Sequence, residues 1–233
     1  MGGQASFITE EYLGEKYPIR IEEHNYIVNG SVLPNELLVK LIQQLDHNEA
    51  LLHEDTLIAA HLDRDQFDNL VEKNSLDEID GYKIEADQFT RLTQLSDLHK
   101  LNDQELRSDF ALLTKGKHSA RIPSHVQYRG DNIFIEEGAK IDFATLDATT
   151  GPIYLSRDSH IMDGCTVRGG FYLGEHSVLK MGAKIYGATT IGAHSKVGGE
   201  VNNSIIQGYS NKAHDGFLGN SVLGEWCNIG ADS

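Results

Sequence analysis

The stretch LSRDSHIMDGCTVRGGFYLGEHSVLKMGAKIYGATTIGAHSKV, residues 155–197, carries an aliphatic residue at every sixth position. These positions are Leu155, Ile161, Val167, Leu173, Leu179, Ile185, Ile191 and Val197. A helix buries one face every 3.6 residues and a strand every 2, so neither element explains a period of six. The residue four places after each of the first seven aliphatics is small, with Phe171 the exception. The two patterns together predict a parallel β-helix, whose aliphatics point into a narrow core with the small residues packed beside them.

Composition restricts the classes of function. The chain has 233 residues and a formal net charge of −15, of which −12 lies in residues 1–120, and this argues against a nucleic-acid partner. No apolar run is long enough to span a membrane and no signal peptide opens the chain, which predicts a cytoplasmic protein without a membrane partner. Cys165 occupies a small-residue position of the repeat, so it and Cys227 are expected to be free thiols in a reducing compartment.

The N-terminal part has no six-residue period and reads as α/β. Its predicted strands are 26–28, 50–52 and 56–62, and the region 79–92 is expected to be rich in strands. A helix is predicted after Pro34 and Asn35, a second near 65–72, and a third that starts at Asn102 and stops at Gly116. Their inward residues are expected to be Leu37, Leu38, Leu41, Ile42, Leu45, Phe67, Leu70, Val71, Leu106, Phe110 and Leu113.

These patterns divide the chain into three parts. We predict an α/β domain over 1–116, a linker over 117–132, and a β-helix over 133–233. We set Met1–Gln4 aside as an extraneous start, and no polar cap closes the β-helix before Ser233, so we expect a piece of a longer protein, truncated at both ends. The repeat loses its phase over 202–216, and because departures from a regular pattern concentrate at functional sites, this segment is the candidate site.

Two segments of this irregular region carry a family resemblance. Asn202–Ile206 and Asn211–Ser221 resemble the acetyltransferase half of the bifunctional UDP-N-acetylglucosamine pyrophosphorylase/glucosamine-1-phosphate N-acetyltransferases. The resemblance implies a left-handed β-helix with three hexapeptide units in each coil, a homotrimer, and acetyl transfer from acetyl-CoA to an amino-sugar 1-phosphate, most simply glucosamine-1-phosphate. It also implies that His214 is the general base, a role that suits imidazole because it titrates near neutral pH.

The same resemblance assigns substrate-binding residues, with departures. Phe217 stands where the family has a tyrosine, and Asn202 stands where it has a lysine for the sugar phosphate. Asparagine brings no charge, so the phosphate is expected to depend on Lys196 or Lys212 instead. No residue is assigned to acetyl-CoA, and part of the shared site is expected beyond Ser233.

The N-terminal part resembles the C-terminal portion of the family's nucleotidyltransferase domain, which follows the phosphate loop in sequence. The glycine-rich phosphate loop is absent, and Ser31 stands where many such enzymes have an aspartate for Mg²⁺. We therefore expect Mg²⁺ to serve only the nucleotidyltransferase half of a full-length protein, and this chain to lack nucleotidyl transfer.

Two alternatives remain open from the residues. The β-helix could be a non-catalytic, trimerising support for a sugar-1-phosphate nucleotidyltransferase domain. A zinc site could use His176 and His194, which are separated by three hexapeptide units, but the same corner would then continue with Asp158 and Lys212. Lysine is a poor zinc ligand, so we predict no metal in the β-helix.

Overall fold

The computed structural model describes residues 5–73 and 79–231, which form two compact units, 1–93 and 94–233. The predictions for Met1–Gln4 and for Ser233 lie outside the described residues. Among the residues described, no helix combines the length and the apolar character needed to cross a membrane.

The first unit is a small α/β structure around one four-stranded sheet, in the order β1-β4-β3-β5. Its strands are β1 His24–Val28, β2 Val32–Leu33, β3 Glu49–His53, β4 Thr56–Asp63, β5 Asp80–Lys83 and β6 Thr90–Arg91. Its helices are α1 Glu36–Gln43 and α2 Arg64–Lys73, with 3₁₀ turns at Glu11–Leu13 and Ala86–Gln88. β3 pairs with β4 antiparallel and with β5 parallel, while β2 and β6 form a separate pair. The predicted α/β class of this part is confirmed.

The predicted local elements of this unit are present. The Asn35 side chain caps α1 by accepting a hydrogen bond from the Leu38 backbone N–H at 2.8 Å. Of the residues expected to point inward, Leu38, Ile42, Leu45 and Phe67 are buried, whereas Leu37 and Val71 are 44% and 47% exposed. Leu113, predicted to be inward on the third helix, is 40% exposed. The prediction was wrong for these three because each helix buries a narrower stripe than the periodicity suggested.

In the second unit, residues 94–231 form one helix, α3 Asp97–Thr114, and a parallel β-solenoid of three sheets. The solenoid strands are β7 Gln127–Arg129, β8 Ile133–Ile135, β9 Lys140–Ile141, β10 Thr145–Asp147, β11 Ile153–Leu155, β12 His160–Ile161, β13 Thr166–Arg168, β14 Phe171–Leu173, β15 Val178–Leu179, β16 Lys184–Tyr186, β17 Thr189–Ile191, β18 Lys196–Val197, β19 Glu200–Asn202, β20 Ile205–Ile206, β21 Asn211–Lys212, β22 Phe217–Gly219 and β23 Val222–Leu223. Every third strand joins the same sheet, so each coil contributes one strand to each side.

The core of the solenoid is the one that the six-residue period predicted. All eight aliphatics of residues 155–197 are at most 1% exposed and belong to one continuous cluster. The small companions are also buried, and Cys165 is a free thiol among them. The prediction of a β-helix is confirmed.

The length of the coil changes where the sequence loses its phase. Ile153 pairs with Phe171 and Phe171 with Thr189, so each of these coils is three hexapeptide units long. Further on, Lys196 pairs with Asn211, and this coil is three residues shorter. The three sheets nevertheless continue without a break, because each strand keeps its parallel partner.

Helix α3 packs on the solenoid and starts earlier than the sequence indicated. Its N-terminal cap position is Ser96, and Asn102 lies inside the helix, 7% exposed. The Asn102 amide donates to the Ala188 carbonyl at 2.9 Å and accepts a hydrogen bond from the Thr190 hydroxyl at 2.9 Å. Asn102 therefore holds the helix on the solenoid, and its predicted role as a helix cap was wrong.

The compact units and the predicted domains divide the chain at different places. The unit that holds the solenoid begins at residue 94 and includes α3 and the segment 117–132. From sequence we assigned α3 to the first domain and the segment to a linker, although Gln127–Arg129 already pairs with β10.

Candidate functional site

The candidate site is a corner of the solenoid that is two residues longer than the corner before it. Val197 pairs with Lys212 and Glu200 pairs with Phe217, so both ends of the two corners are in register. Between these pairs the earlier coil has Gly198 and Gly199, whereas the later coil has the four residues 213–216. The corner after Leu179, residues 180–183, also has four residues, so the corner at Gly198 and Gly199 is the short one. We call residues 213–216 the insertion because they add two residues relative to the corner directly before them.

Lys212 precedes the insertion and lies in the core. It is 5% exposed, and its ammonium donates to the carbonyl oxygens of Gly198 at 3.1 Å and of His214 at 2.7 Å. Burial lowers the pKa of Lys212, and the nearby Asp215 carboxylate opposes that shift. From sequence Lys212 was a candidate for binding the sugar phosphate; in the structure both of its hydrogen bonds go to backbone carbonyls.

His214 is at the exposed tip of the insertion. His214 is exposed, and in the described parts of the chain its imidazole has no hydrogen-bond or ion-pair partner. His214 lines a surface cavity of about 620 Å³. The cavity is lined by Lys212, His214, Asp215, Gly216, Phe217, Leu218, Ile229, Gly230 and Ala231. A solvent-facing imidazole beside a cavity of this size has the freedom to exchange a proton with a bound molecule.

Phe217 forms an apolar wall of the same cavity. Its side chain is 65% exposed and its ring lies over Gly219, where an added Cβ would come within 2.5 Å of the Phe217 Cζ. Phenylalanine has no hydroxyl, so this wall offers a substrate apolar contact and no hydrogen bond.

The structure brings together only some of the predicted site residues. His214, Lys212 and Phe217 line the cavity, whereas Lys196 and Asn202 lie outside its lining. Lys196 is exposed on β18, and Asn202 is half-buried on β19 beside Gly219.

A sequence signal for the inward position of Lys212 does exist. Ser210 is buried two places before Lys212, as Ser195 is buried two places before Val197. The small residue thus returns at its usual place beside an inward position, although the inward residue itself is a lysine. Recognising this pattern would have located Lys212 in the aliphatic column.

The corner that carries His176 and His194 is an aromatic ladder, and Lys212 is not part of it. The two imidazoles stack with centroids 4.9 Å apart, and His194 stacks in turn on Tyr209, also at 4.9 Å. The expectation of Lys212 as the next member was wrong because the coil becomes three residues shorter at that point. Within residues 5–73 and 79–231, no three His, Cys, Asp or Glu side chains are arranged to hold a metal ion.

The turn after β1 does not fit Mg²⁺. The Ser31 hydroxyl donates to the Asn29 side-chain oxygen at 2.7 Å, and the Arg91 guanidinium donates to Ser31 at 3.3 Å. Mg²⁺ prefers anionic oxygen ligands, and here the neighbour of the hydroxyl is a cation.

A second cavity, of about 300 Å³, lies between α3 and the solenoid and was not predicted. Its lining includes Asn102, Glu105, Asp109, Tyr154 and Tyr172. Burial raises the pKa of Glu105, and the neighbouring Asp109 carboxylate adds to that rise. Burial also raises the pKa of Asp109. The helical spacing of the two carboxyls was the only sequence signal, and it is common on exposed helix faces.

Comparison with known proteins gives one finding for the N-terminal half. The family model described as sugar nucleotidyl transferase matches residues 1–118, which is half of the chain. No curated protein matches the chain. The match ends two residues beyond the first domain predicted from sequence. On this evidence the chain belongs to the sugar nucleotidyl transferase family, and its family domain is followed by a parallel β-solenoid.

Proposed function

We propose that the protein transfers the acetyl group of acetyl-CoA to the amino group of an amino-sugar 1-phosphate, with glucosamine-1-phosphate as the expected acceptor. The observation that carries the proposal is the free imidazole of His214 on an insertion beside a cavity. The family match supports a sugar phosphate as the class of substrate. The reaction would supply N-acetylated sugar phosphate for sugar-nucleotide synthesis.

His214 would act as the general base. The neutral amine attacks the thioester carbonyl, and the imidazole accepts the proton that the nitrogen loses as the C–N bond forms. The C–S bond then breaks, and the CoA thiolate leaves and takes up a proton. No metal ion is required for this step.

The other predicted residues would bind the acceptor. Phe217 would pack against an apolar face of the sugar, and Lys196 and Asn202 would reach the phosphate from outside the cavity. Lys212 already donates to two backbone carbonyls, so its contribution to binding the phosphate would be through its charge.

A neighbouring subunit of a parallel trimer would complete the site. Light scattering on the full-length protein should therefore give the mass of a trimer.

The experiment compares acetyl transfer by wild type, His214→Ala and His194→Ala. His194 is exposed on another corner, so it is a matched control for removing an imidazole. We expect His214→Ala to lose about 10²–10⁴-fold in kcat, the usual contribution of a positioned base, and His194→Ala to match wild type. Equal rates in His214→Ala and wild type would refute the role of His214.

A second function is favoured by the family match itself. The activity would be nucleotidyl transfer to a sugar 1-phosphate, with the solenoid as a trimerising support. Release of pyrophosphate from a nucleoside triphosphate and glucose-1-phosphate, with Mg²⁺ added, distinguishes the two. We expect no release from this chain; release without acetyl transfer would establish the second function instead.

A further inference from the structure

We propose that Lys212 is a positioning residue for His214: its buried amine fixes the backbone of the insertion that carries the imidazole. The inference rests on the proposed function for its catalytic consequence, and its structural part stands on the geometry alone.

Lys212 occupies a place that the repeat reserves for an aliphatic. The strand pairing puts it directly after Ile141, Ile161, Leu179 and Val197, all of which are buried. An aliphatic side chain at this place would satisfy the packing of the column. A lysine loses hydration there, so the structure must supply polar partners for it.

The insertion supplies those partners. The His214 carbonyl accepts a hydrogen bond from the Lys212 amine, which belongs to a residue only 5% exposed, so this carbonyl is directed towards the core. Without the lysine the carbonyl would have to turn outwards to water or stay unpaired. The lysine therefore selects the conformation of the insertion in which the His214 carbonyl faces inwards, and His214 lines the cavity in that conformation.

The same amine anchors the insertion to the preceding coil. Its second hydrogen bond goes to the carbonyl of Gly198. The Gly198 N–H in turn donates to the Lys212 carbonyl at 2.8 Å. A Cβ at Gly198 would lie 2.3 Å from the Ala213 carbonyl oxygen, so the coils approach closely only because residue 198 is glycine. His214 is thereby held relative to the regular part of the solenoid.

The two hydrogen bonds of the Lys212 amine do not require a counter-ion. In the described residues no carboxylate lies within ion-pair distance of the Lys212 ammonium, and a neutral amine still has two N–H donors for the two carbonyls. The role is therefore that of a fixed hydrogen-bond donor, which an apolar side chain of similar length cannot replace.

The test compares Lys212→Met, which keeps the length of the side chain and removes its donors, with Lys184→Met. Lys184 is an exposed lysine on β16, so its variant controls for the loss of a charge. The amides of Gly198 and Glu200 donate to the carbonyls of Lys212 and Gly216. We expect these two amides to exchange with deuterium about tenfold or more faster in Lys212→Met, while the rest of the solenoid is unchanged. Lys212→Arg, which restores donors, should recover part of the protection.

Kinetics test the catalytic consequence. In Lys212→Met we expect kcat to fall about 10- to 100-fold with little change in the KM for acetyl-CoA, because a displaced base affects the chemical step. In a protein that already carries His214→Ala, Lys212→Met should lower kcat no further, since the two residues act as one unit. A full additional loss in the double variant would overturn the positioning role.

The outcomes separate this proposal from the proposed function. If wild type transfers no acetyl group, the proposed function fails. Deuterium exchange alone then tests whether Lys212 fixes the backbone of the insertion. Unchanged exchange in Lys212→Met overturns the proposal whatever the activity, and faster exchange with wild-type kcat in an active enzyme overturns its catalytic part. If Lys212→Met does not fold, ¹⁵N-lysine NMR of the wild type provides the test. We expect the Nζ protons of Lys212 to be protected from exchange, and rapid exchange would contradict their hydrogen bonds to the two carbonyls.

Discussion

The regular coils of residues 155–197 and the irregular coils of residues 200–223 share the same three sheets, but they fill the core in different ways. In the regular coils every sixth residue is a buried aliphatic, and three hexapeptide units separate paired strands. In the irregular coils the separation is one to three residues shorter, and a lysine takes an aliphatic place. The comparison shows that backbone pairing maintains a solenoid through coils that have lost the repeat.

The largest expected effect tests whether a buried lysine is tolerated only beside the insertion. Leu179→Lys puts an amine into the same column two coils earlier. The corner there, residues 180–183, also has four residues, but its Lys180 carbonyl already accepts hydrogen bonds from the Cys165 thiol and the Ala183 N–H. An unpaired buried charge costs about 3–5 kcal/mol, so we expect the thermal midpoint to fall sharply or folding to fail. Lys212→Leu should change stability by less than about 1 kcal/mol, because the desolvation cost of the amine disappears together with its hydrogen bonds. Comparable destabilisation by both substitutions would contradict this difference between the regions.

A second comparison removes packing from each region. Leu173 is fully buried in a regular coil, and Leu173→Ala should destabilise by about 2–5 kcal/mol because it leaves a cavity. Leu223 is only half-buried in the last coil, so Leu223→Ala should cost less than half as much. Thermal unfolding followed by circular dichroism measures both, and equal losses would mean that the last coil is packed as tightly as the regular ones.

Helix α3 offers a polar test of the regular region. Asn102→Ala removes both hydrogen bonds to the solenoid and leaves the Ala188 carbonyl without this donor. We expect a loss of about 1–3 kcal/mol in the free energy of unfolding. Ser108→Ala on the exposed face of the same helix is the control and should be neutral. If Asn102→Ala and Ser108→Ala have the same free energy of unfolding, Asn102 does not hold the helix on the solenoid.

The smallest expected effect is on the pH dependence of stability. Hydrogen bonds from Thr149 lower the pKa of Asp147, and the guanidinium groups of Arg129 and Arg168 lower it further. Because the folded-state pKa is below the unfolded value, the stabilisation is present above about pH 4 and is lost as the pH falls through the folded value. Asp147→Asn should therefore lower the thermal midpoint at pH 7 and have less effect at pH 3. An equal shift at both pH values would contradict this.

The regular coils could be predicted from sequence because each inward position follows from a local six-residue pattern. The irregular coil could not be placed correctly, since Lys212 was expected to follow His194 by a full coil and instead pairs with Val197 in a shortened one. Asn102 was misassigned for another reason. Its partners are 86 and 88 residues away, and no local pattern contains that information.

The candidate site was found through its departure from the repeat, but its geometry was not predictable. The grouping of His214 with Phe217 required the two additional residues of the insertion to be aligned with the preceding corner. The exclusion of Lys196 and Asn202 from the cavity depends on the coil that each occupies, because β18 and β19 lie one coil before β21 and β22 in the same sheets. Neither follows from residue types alone.

The most direct measurement is acetyl transfer by the wild-type protein. Full-length protein would be incubated with acetyl-CoA and glucosamine-1-phosphate, and the sugar product analysed by mass spectrometry, with protein-free and His214→Ala reactions alongside. We predict N-acetylglucosamine-1-phosphate and free CoA in equal amounts from wild type, and a rate about 10²–10⁴-fold lower from His214→Ala. No acetylated sugar above the protein-free reaction would contradict the proposed function.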